Sequence, residues 1–203
     1  MGKDIQGLKV NNRKLAHWDV LLKAWLSLIK RYCDFMEGSD APFYHTERAN
    51  VGVLAGAAWN AGWIALEEFG ARKRRKIRGS CDLYLYPDDR DIGEYIEAKQ
   101  AWSIEKAESG LSQAESNARE LLDPKYEEAL RIGLTFVSPG IHEKFESKIN
   151  HYIDEILKTA SKVDCDIYSW SFPVSVRGLR GGGKFEHIIY PGILLFAKVA
   201  DEK

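Results

Sequence analysis

Asp82, Glu97 and Lys99 are the residues of this chain whose types and spacing could do chemistry together. Glu97-Ala98-Lys99 sets an acid and an amine two positions apart, which on a strand means one face, shared with Tyr95. Asp82 lies upstream, across Pro87-Asp88-Asp89-Arg90-Asp91-Ile92-Gly93, a stretch dense in turn-forming residues. The flanking segments, Cys81-Asp82-Leu83-Tyr84-Leu85-Tyr86 and Glu94-Tyr95-Ile96-Glu97-Ala98-Lys99, are rich in strand formers, so the pattern predicts an antiparallel hairpin. With Tyr86 opposite Gly93, Asp82 is the direct cross-strand neighbour of Glu97; a slip of one residue would put the two acids on opposite faces.

In that register the carboxylates stand about 4.5–5.5 Å apart at Cβ and repel each other unless a cation compensates them. Clustered carboxylate oxygens completed by waters and a phosphate suit Mg2+, with Mn2+ as a substitute. Lys99 then places an ammonium group where it can orient an attacking water or balance charge building on a phosphate, the layout of a phosphodiester hydrolysis centre. Glu-x-Lys alone is common on solvated sheet surfaces, where the charges merely pair. Three features set this instance apart: an Asp of matching parity on the preceding strand, the apolar setting of Leu83, Leu85, Ile96 and Ala98, and a helix of small residues just upstream.

Around the hairpin, Leu15, Trp18, Leu22, Trp25, Leu26, Ile29 and Cys33 give residues 13–36 the spacing of an amphipathic helix, broken by Gly38-Ser39-Asp40-Ala41-Pro42. A second helix is expected from a Thr46 cap through Phe69 to a stop at Gly70, its Ala and Gly residues allowing close approach to a sheet. After the hairpin the pattern predicts a helix over 104–122, a strand over 132–137, a helix over 143–161, a strand over 166–172, a Gly-rich loop and a strand over 188–199. This order calls for an α/β fold, a mixed sheet flanked by helices on both faces. Residues 1–45 are expected as an N-terminal helical extension and 46–203 as the main domain, in one compact unit.

Gly79-Ser80-Cys81-Asp82 followed by Tyr95-Ile96-Glu97-Ala98-Lys99-Gln100 resembles the PD-(D/E)XK superfamily of restriction-endonuclease-like nucleases, over about residues 46–172. Cys81 stands where the family name has Pro. The resemblance implies a restriction-endonuclease-like fold and an Mg2+-dependent nuclease acting on DNA, often as a homodimer. It implies Asp82 and Glu97 as metal ligands with the Ala98 carbonyl as a third, Lys99 positioning the nucleophilic water, and Glu47, at the start of the first core helix, as a further acid. Glu67 and Glu68 are weaker candidates, and Gln100 could reach substrate phosphate. A catalytically inactive nuclease-fold protein serving as a binding or assembly subunit is the alternative, and a small interaction protein whose acids are mere surface charges a third.

Composition bounds these readings. The 29 basic and 30 acidic residues leave no global positive field to draw the chain onto nucleic acid. Locally, Arg72-Lys73-Arg74-Arg75-Lys76-Ile77-Arg78 crowds cations just before Asp82, as a solvated loop or a phosphate contact, with Arg74, Arg75 and Arg78 as candidates. No apolar run has the length of a membrane span and no secretory signal is present, so the expected location is the cytoplasm, with no membrane partner. Cys33, Cys81 and Cys165 are odd in number and far apart, which argues against disulfides or a Cys-based zinc site. The histidines, His17, His45, His142, His151 and His187, form no zinc motif. Gly178 to Lys184 fits GxxxxGK, but Phe185 replaces the Ser or Thr of a P-loop and no helix follows, leaving Arg180 and Lys184 as weak phosphate contacts. Trp59, Trp63, Trp102 and Trp170 are expected to pack in the core.

Overall fold

The computed structural model describes residues 3–73, 76–88, 90–122 and 129–200. In chain order they form strand β1 (Ile5–Val10), helices α1 (Trp18–Phe35) and α2 (Glu47–Asn60), and strands β2 (Ile64–Lys73), β3 (Lys76–Tyr86) and β4 (Glu94–Ala101). Helix α3 (Ala107–Arg119), β5 (Leu121–Leu122), β6 (Leu130–Val137), β7 (Ile141–His142) and α4 (Ile149–Ala160) follow, then β8 (Ile167–Phe172), β9 (Ile188–Ile189) and β10 (Ile193–Val199). Eight strands make one sheet in the order β1-β8-β10-β6-β4-β3-β2-β5. Within it β4 and β6 run parallel, joined by the α3 crossover that such a pair requires, and the other described pairings are antiparallel. The fold is therefore α/β, a mixed sheet with helices on both faces.

One face is covered by α1 and α2, whose Trp18, Trp25 and Leu54 pack with Leu83, Leu85, Ile96 and Ala98 of the sheet. On the other face Leu111 of α3 and Ile153 and Ile156 of α4 pack with Phe172, Leu194 and Phe196. The stripe predicted for α1 is buried along its length, and residues 1–45 contribute more than a peripheral cap. Their β1 pairs antiparallel with β8, and α1 belongs to the larger core. The start of β4 is anchored by a buried polar cluster. Glu94, 1% exposed, accepts from Trp18 Nε1 at 2.8 Å and meets His17 Nε2 at 2.6 Å. Arg90 lies 3.0 Å from His17 Nδ1. A guanidinium can only donate, so Nδ1 accepts and the imidazole proton sits on Nε2, facing Glu94.

The helix expected over 46–69 stops early. Thr46 caps it as predicted, accepting from Ala49 N–H at 3.4 Å, but α2 ends at Asn60 and Ile64–Lys73 is strand. Gly62, at φ 84°, makes a left-handed turn in which Trp63 N–H reaches back to the Ala58 carbonyl at 2.9 Å. That is a glycine helix stop, and beyond it Ala65 is buried between the exposed Ile64 and Leu66. β2 and β3 pair as far as Lys73 and Lys76, so the basic run expected as a loop is largely strand backbone; Arg74 and Arg75 lie outside the described residues. The last strand is interrupted between β9 and β10, where Pro191 lacks an N–H and a Cβ on Gly192 would fall 2.3 Å from the Ser171 carbonyl. Among the described residues no helix is long and apolar enough to cross a membrane.

Gly133 on β6, opposite Glu97 in the parallel register, lets α3 lie on the sheet beside β4. A Cβ there would fall 2.3 Å from the Glu115 backbone nitrogen. Gly133→Ala is therefore expected to lower stability by about 1–3 kcal/mol, through displacement of α3. Urea unfolding and amide exchange check this; an unchanged midpoint with full protection of α3 would contradict it.

Candidate active site

β3 and β4 stay together through Leu85↔Glu94, Tyr84↔Tyr95 and Leu83↔Ile96, and then part. These three pairs have the register predicted from the hairpin, but the pairing stops one step short of both Tyr86 opposite Gly93 and Asp82 opposite Glu97. On the β2 side the same level is irregular. Glu67↔Leu83 and Phe69↔Cys81 are paired, whereas Glu68, between them, is unpaired and has φ 51°, a region that non-glycine residues rarely occupy. Glu67 and Glu68 therefore belong to a strand, not to the end of a helix.

Where β3 departs, charged side chains replace it along the edge of β4. Asp82 Oδ2 accepts the Ala98 N–H at 2.7 Å, and Lys99 Nζ donates to the Ala98 carbonyl. Glu47, the first residue of α2, lies against the Gln100 N–H, and its Oε1 is 3.7 Å from Lys99 Nζ. The backbone donor and acceptor of Ala98 are thus both held by side chains that the sequence singled out. Burial raises the Glu47 carboxyl above its ordinary range; the Asp82 carboxylate adds to this, while Lys99 and the Gln100 amide oppose it.

Glu97 is 4% exposed. It points away from Ile96 and Ala98, toward the face covered by α3. Asp82 and Glu97 both lie close enough to Cys81 to act on its thiol. Burial first, and these two carboxylates next to it, push that thiol up to about 12, so Cys81 is protonated and not a nucleophile at neutral pH. Among the described residues no three acidic, imidazole or thiol groups form a ready-made metal cage. Mg2+ keeps several waters and needs only one or two carboxylates from protein, and the hard oxygens brought to this edge of β4 are those of Asp82, Glu47 and the Ala98 carbonyl. The Lys99 ammonium, resting on that carbonyl beside Glu47, already puts a cation among them.

The weaker candidates are placed differently. Gln100 Oε1 accepts from Asn50 Nδ2 at 3.3 Å and its Nε2 faces the Phe43 and His45 carbonyls at 3.5 Å, tying β4 to the approach to α2. Arg180 is engaged by Glu143 at 2.6 Å and Glu146 at 3.1 Å, and Lys184 sits over the Phe185 ring. The side chain of Arg78 lies outside the described residues. His45 pairs with Asp40 at 3.0 Å. Trp59 and Trp102, expected in the core, are 55% and 46% exposed, whereas Trp63 is buried as expected. A cleft of about 400 Å3 opens beside Lys99, walled by Trp102, Lys106, Ser109 and Gln113. The sequence reading missed this wall, although Trp102 directly follows the end of β4. Comparison with protein-family models, curated proteins and solved structures finds no match.

A carboxyl whose pKa is raised by folding holds its proton more tightly in the native state, so its ionisation lowers stability as pH rises from the unfolded pKa through the folded one. Glu47, about one-third exposed and therefore partly screened, is a small net cost at neutral pH. Glu47→Gln is expected to gain about 0.5 kcal/mol in urea unfolding with EDTA, and to gain less than the wild type from millimolar Mn2+. Lower stability in EDTA with full Mn2+ stabilisation would contradict this placement.

Proposed function

We propose that this chain is a metal-dependent nuclease of PD-(D/E)XK type, on a restriction-endonuclease-like fold, that hydrolyses phosphodiester bonds, most readily those of DNA. The reading rests on one observation: the fork between β3 and β4, where Asp82, Lys99 and Glu47 converge on the backbone from Ala98 to Gln100. Asp82, Glu97 and the Ala98 carbonyl would hold Mg2+, with Glu47 as a supporting acid. A divalent ion there supplies polarisation of the scissile phosphate and a more acidic water. Lys99 orients the attacking water and balances the charge that builds on the phosphate oxygens. The water oxygen bonds to phosphorus in line as one of its protons passes to solvent, the bond to the leaving sugar oxygen breaks, and that oxygen takes up a proton from solvent water. The α3 side of the site admits substrate, since Lys99 opens onto the cleft there.

An inactive nuclease-fold subunit used for binding or assembly is the second reading. The Lys99 ammonium lying on the Ala98 carbonyl and the formal net charge of −1 favour it. Incubation with plasmid and linear DNA in Mg2+ or Mn2+ separates the two. The nuclease reading expects cleavage by the wild type and loss of about a hundredfold or more in both Lys99→Ala and Asp82→Asn. No cleavage of any nucleic acid by the wild type, or full activity in Lys99→Ala, would overturn it. A homodimer, able to cut both strands, belongs to the same proposal and is read by sedimentation.

A further inference from the structure

The cleft beside Lys99 has features that phosphodiester hydrolysis alone does not require. Trp102 is 46% exposed at its wall. Its indole is braced, because the Tyr190 ring meets it at 71° with centroids 5.6 Å apart. Tyr190 is itself 6% exposed and packs against Tyr44 at 5.5 Å. A large aromatic held rigid yet left half in solvent is an open stacking surface, and stacking on it forfeits little side-chain freedom.

The charge of the cleft points the same way. Among the described residues lining it, Lys99 and Lys106 carry ammonium groups and none is acidic, although the chain as a whole is near neutral. Ser109 and Gln113 add uncharged hydrogen-bonding groups on the α3 side. An anion with a flat ring beside it matches this wall. A polynucleotide strand has that chemistry: phosphate at Lys99 and Lys106, base on Trp102.

From this arrangement we infer that the cleft binds single-stranded nucleic acid, with one unstacked base lying on Trp102 next to the phosphate at Lys99. Lys99 and Trp102 are three residues apart, at most about 10 Å along an extended chain, so the phosphate and the base belong to the same or adjoining nucleotides. An internal base of duplex DNA cannot lie on Trp102 without first leaving its stack, which costs a duplex but not a single strand the unstacking energy. The preferred substrates are then single strands, flaps or frayed ends. The identification of the ligand as polynucleotide rests on the nuclease reading; the stacking residue and strand preference go beyond it.

The test is fluorescence anisotropy with a labelled oligothymidylate and a duplex of equal length, in Ca2+, on the full chain. Trp102→Ala is expected to weaken single-strand binding roughly tenfold or more, to leave duplex binding within about twofold, and to be rescued by Trp102→Phe. Equal single-strand binding by the wild type and Trp102→Ala would overturn the inference, as would failure of Trp102→Phe to restore binding when both variants are folded by circular dichroism. Cleavage in Mn2+, run in parallel, separates the two proposals. Trp102-dependent binding without any cleavage sustains this inference and sinks the hydrolytic reading. Lys99-dependent cleavage with binding indifferent to Trp102 overturns this inference and leaves the nuclease standing.

Discussion

An interior strand that loses a neighbour leaves backbone donors and acceptors that must find other partners, because unpaired polar groups are costly away from water. At Ala98 the sheet meets this constraint with charge. The N–H goes to the Asp82 carboxylate and the C=O to the Lys99 ammonium, while the Glu47 carboxylate stands at the next inward-facing amide. Groups that would otherwise be scattered over a surface are fixed against the backbone by hydrogen bonds that replace the missing ladder. Asp82 cannot turn away without stranding an amide, and that holds its carboxylate at Ala98 whether or not an ion is bound.

The rest of the fold keeps the fork in register. Glu94, satisfied by Trp18 and His17, fixes the start of β4 against α1. Gln100 and Asn50 tie its far end to α2 and so place Glu47 at the open edge. On the other face Gly133 brings α3 close enough to bury Glu97 and to form the second wall of the cleft. The break in pairing at Glu68, whose backbone is strained, falls at the level of Asp82, where β3 also leaves β4. Each of these features adjusts the position of a few atoms around Ala98, and the larger core beneath, built from α1, α2 and the sheet, gives them a rigid support.

Much of this was legible from residue pattern. The turn between Tyr86 and Gly93 and the alternation on either side specify the hairpin register, because a slip would move Leu83, Leu85 and Ile96 out of the core. The Thr46 cap and the stripe of α1 were equally readable. Strand β2 was not: Ala65 and Phe69, four residues apart, fit a helical spacing as well as an alternating one, and Gly62 looks like one more small helical residue until its positive φ is seen. Nor could the sequence separate Trp102 from Trp63, since exposure depends on where the chain turns after β4. The path of the Lys99 side chain onto the neighbouring carbonyl is likewise a property of the opened edge, invisible in the spacing of Glu97 and Lys99.

A crystal structure in millimolar Mn2+, with the ion located by its anomalous scattering, tests the fork most directly. The expected result is a single ion bonded to the Asp82 carboxylate and the Ala98 carbonyl, with Glu97 at or near it and the Lys99 ammonium moved off that carbonyl. A structure with no ion there, Lys99 still on the Ala98 carbonyl and β3 paired with β4 beyond Ile96 would contradict it.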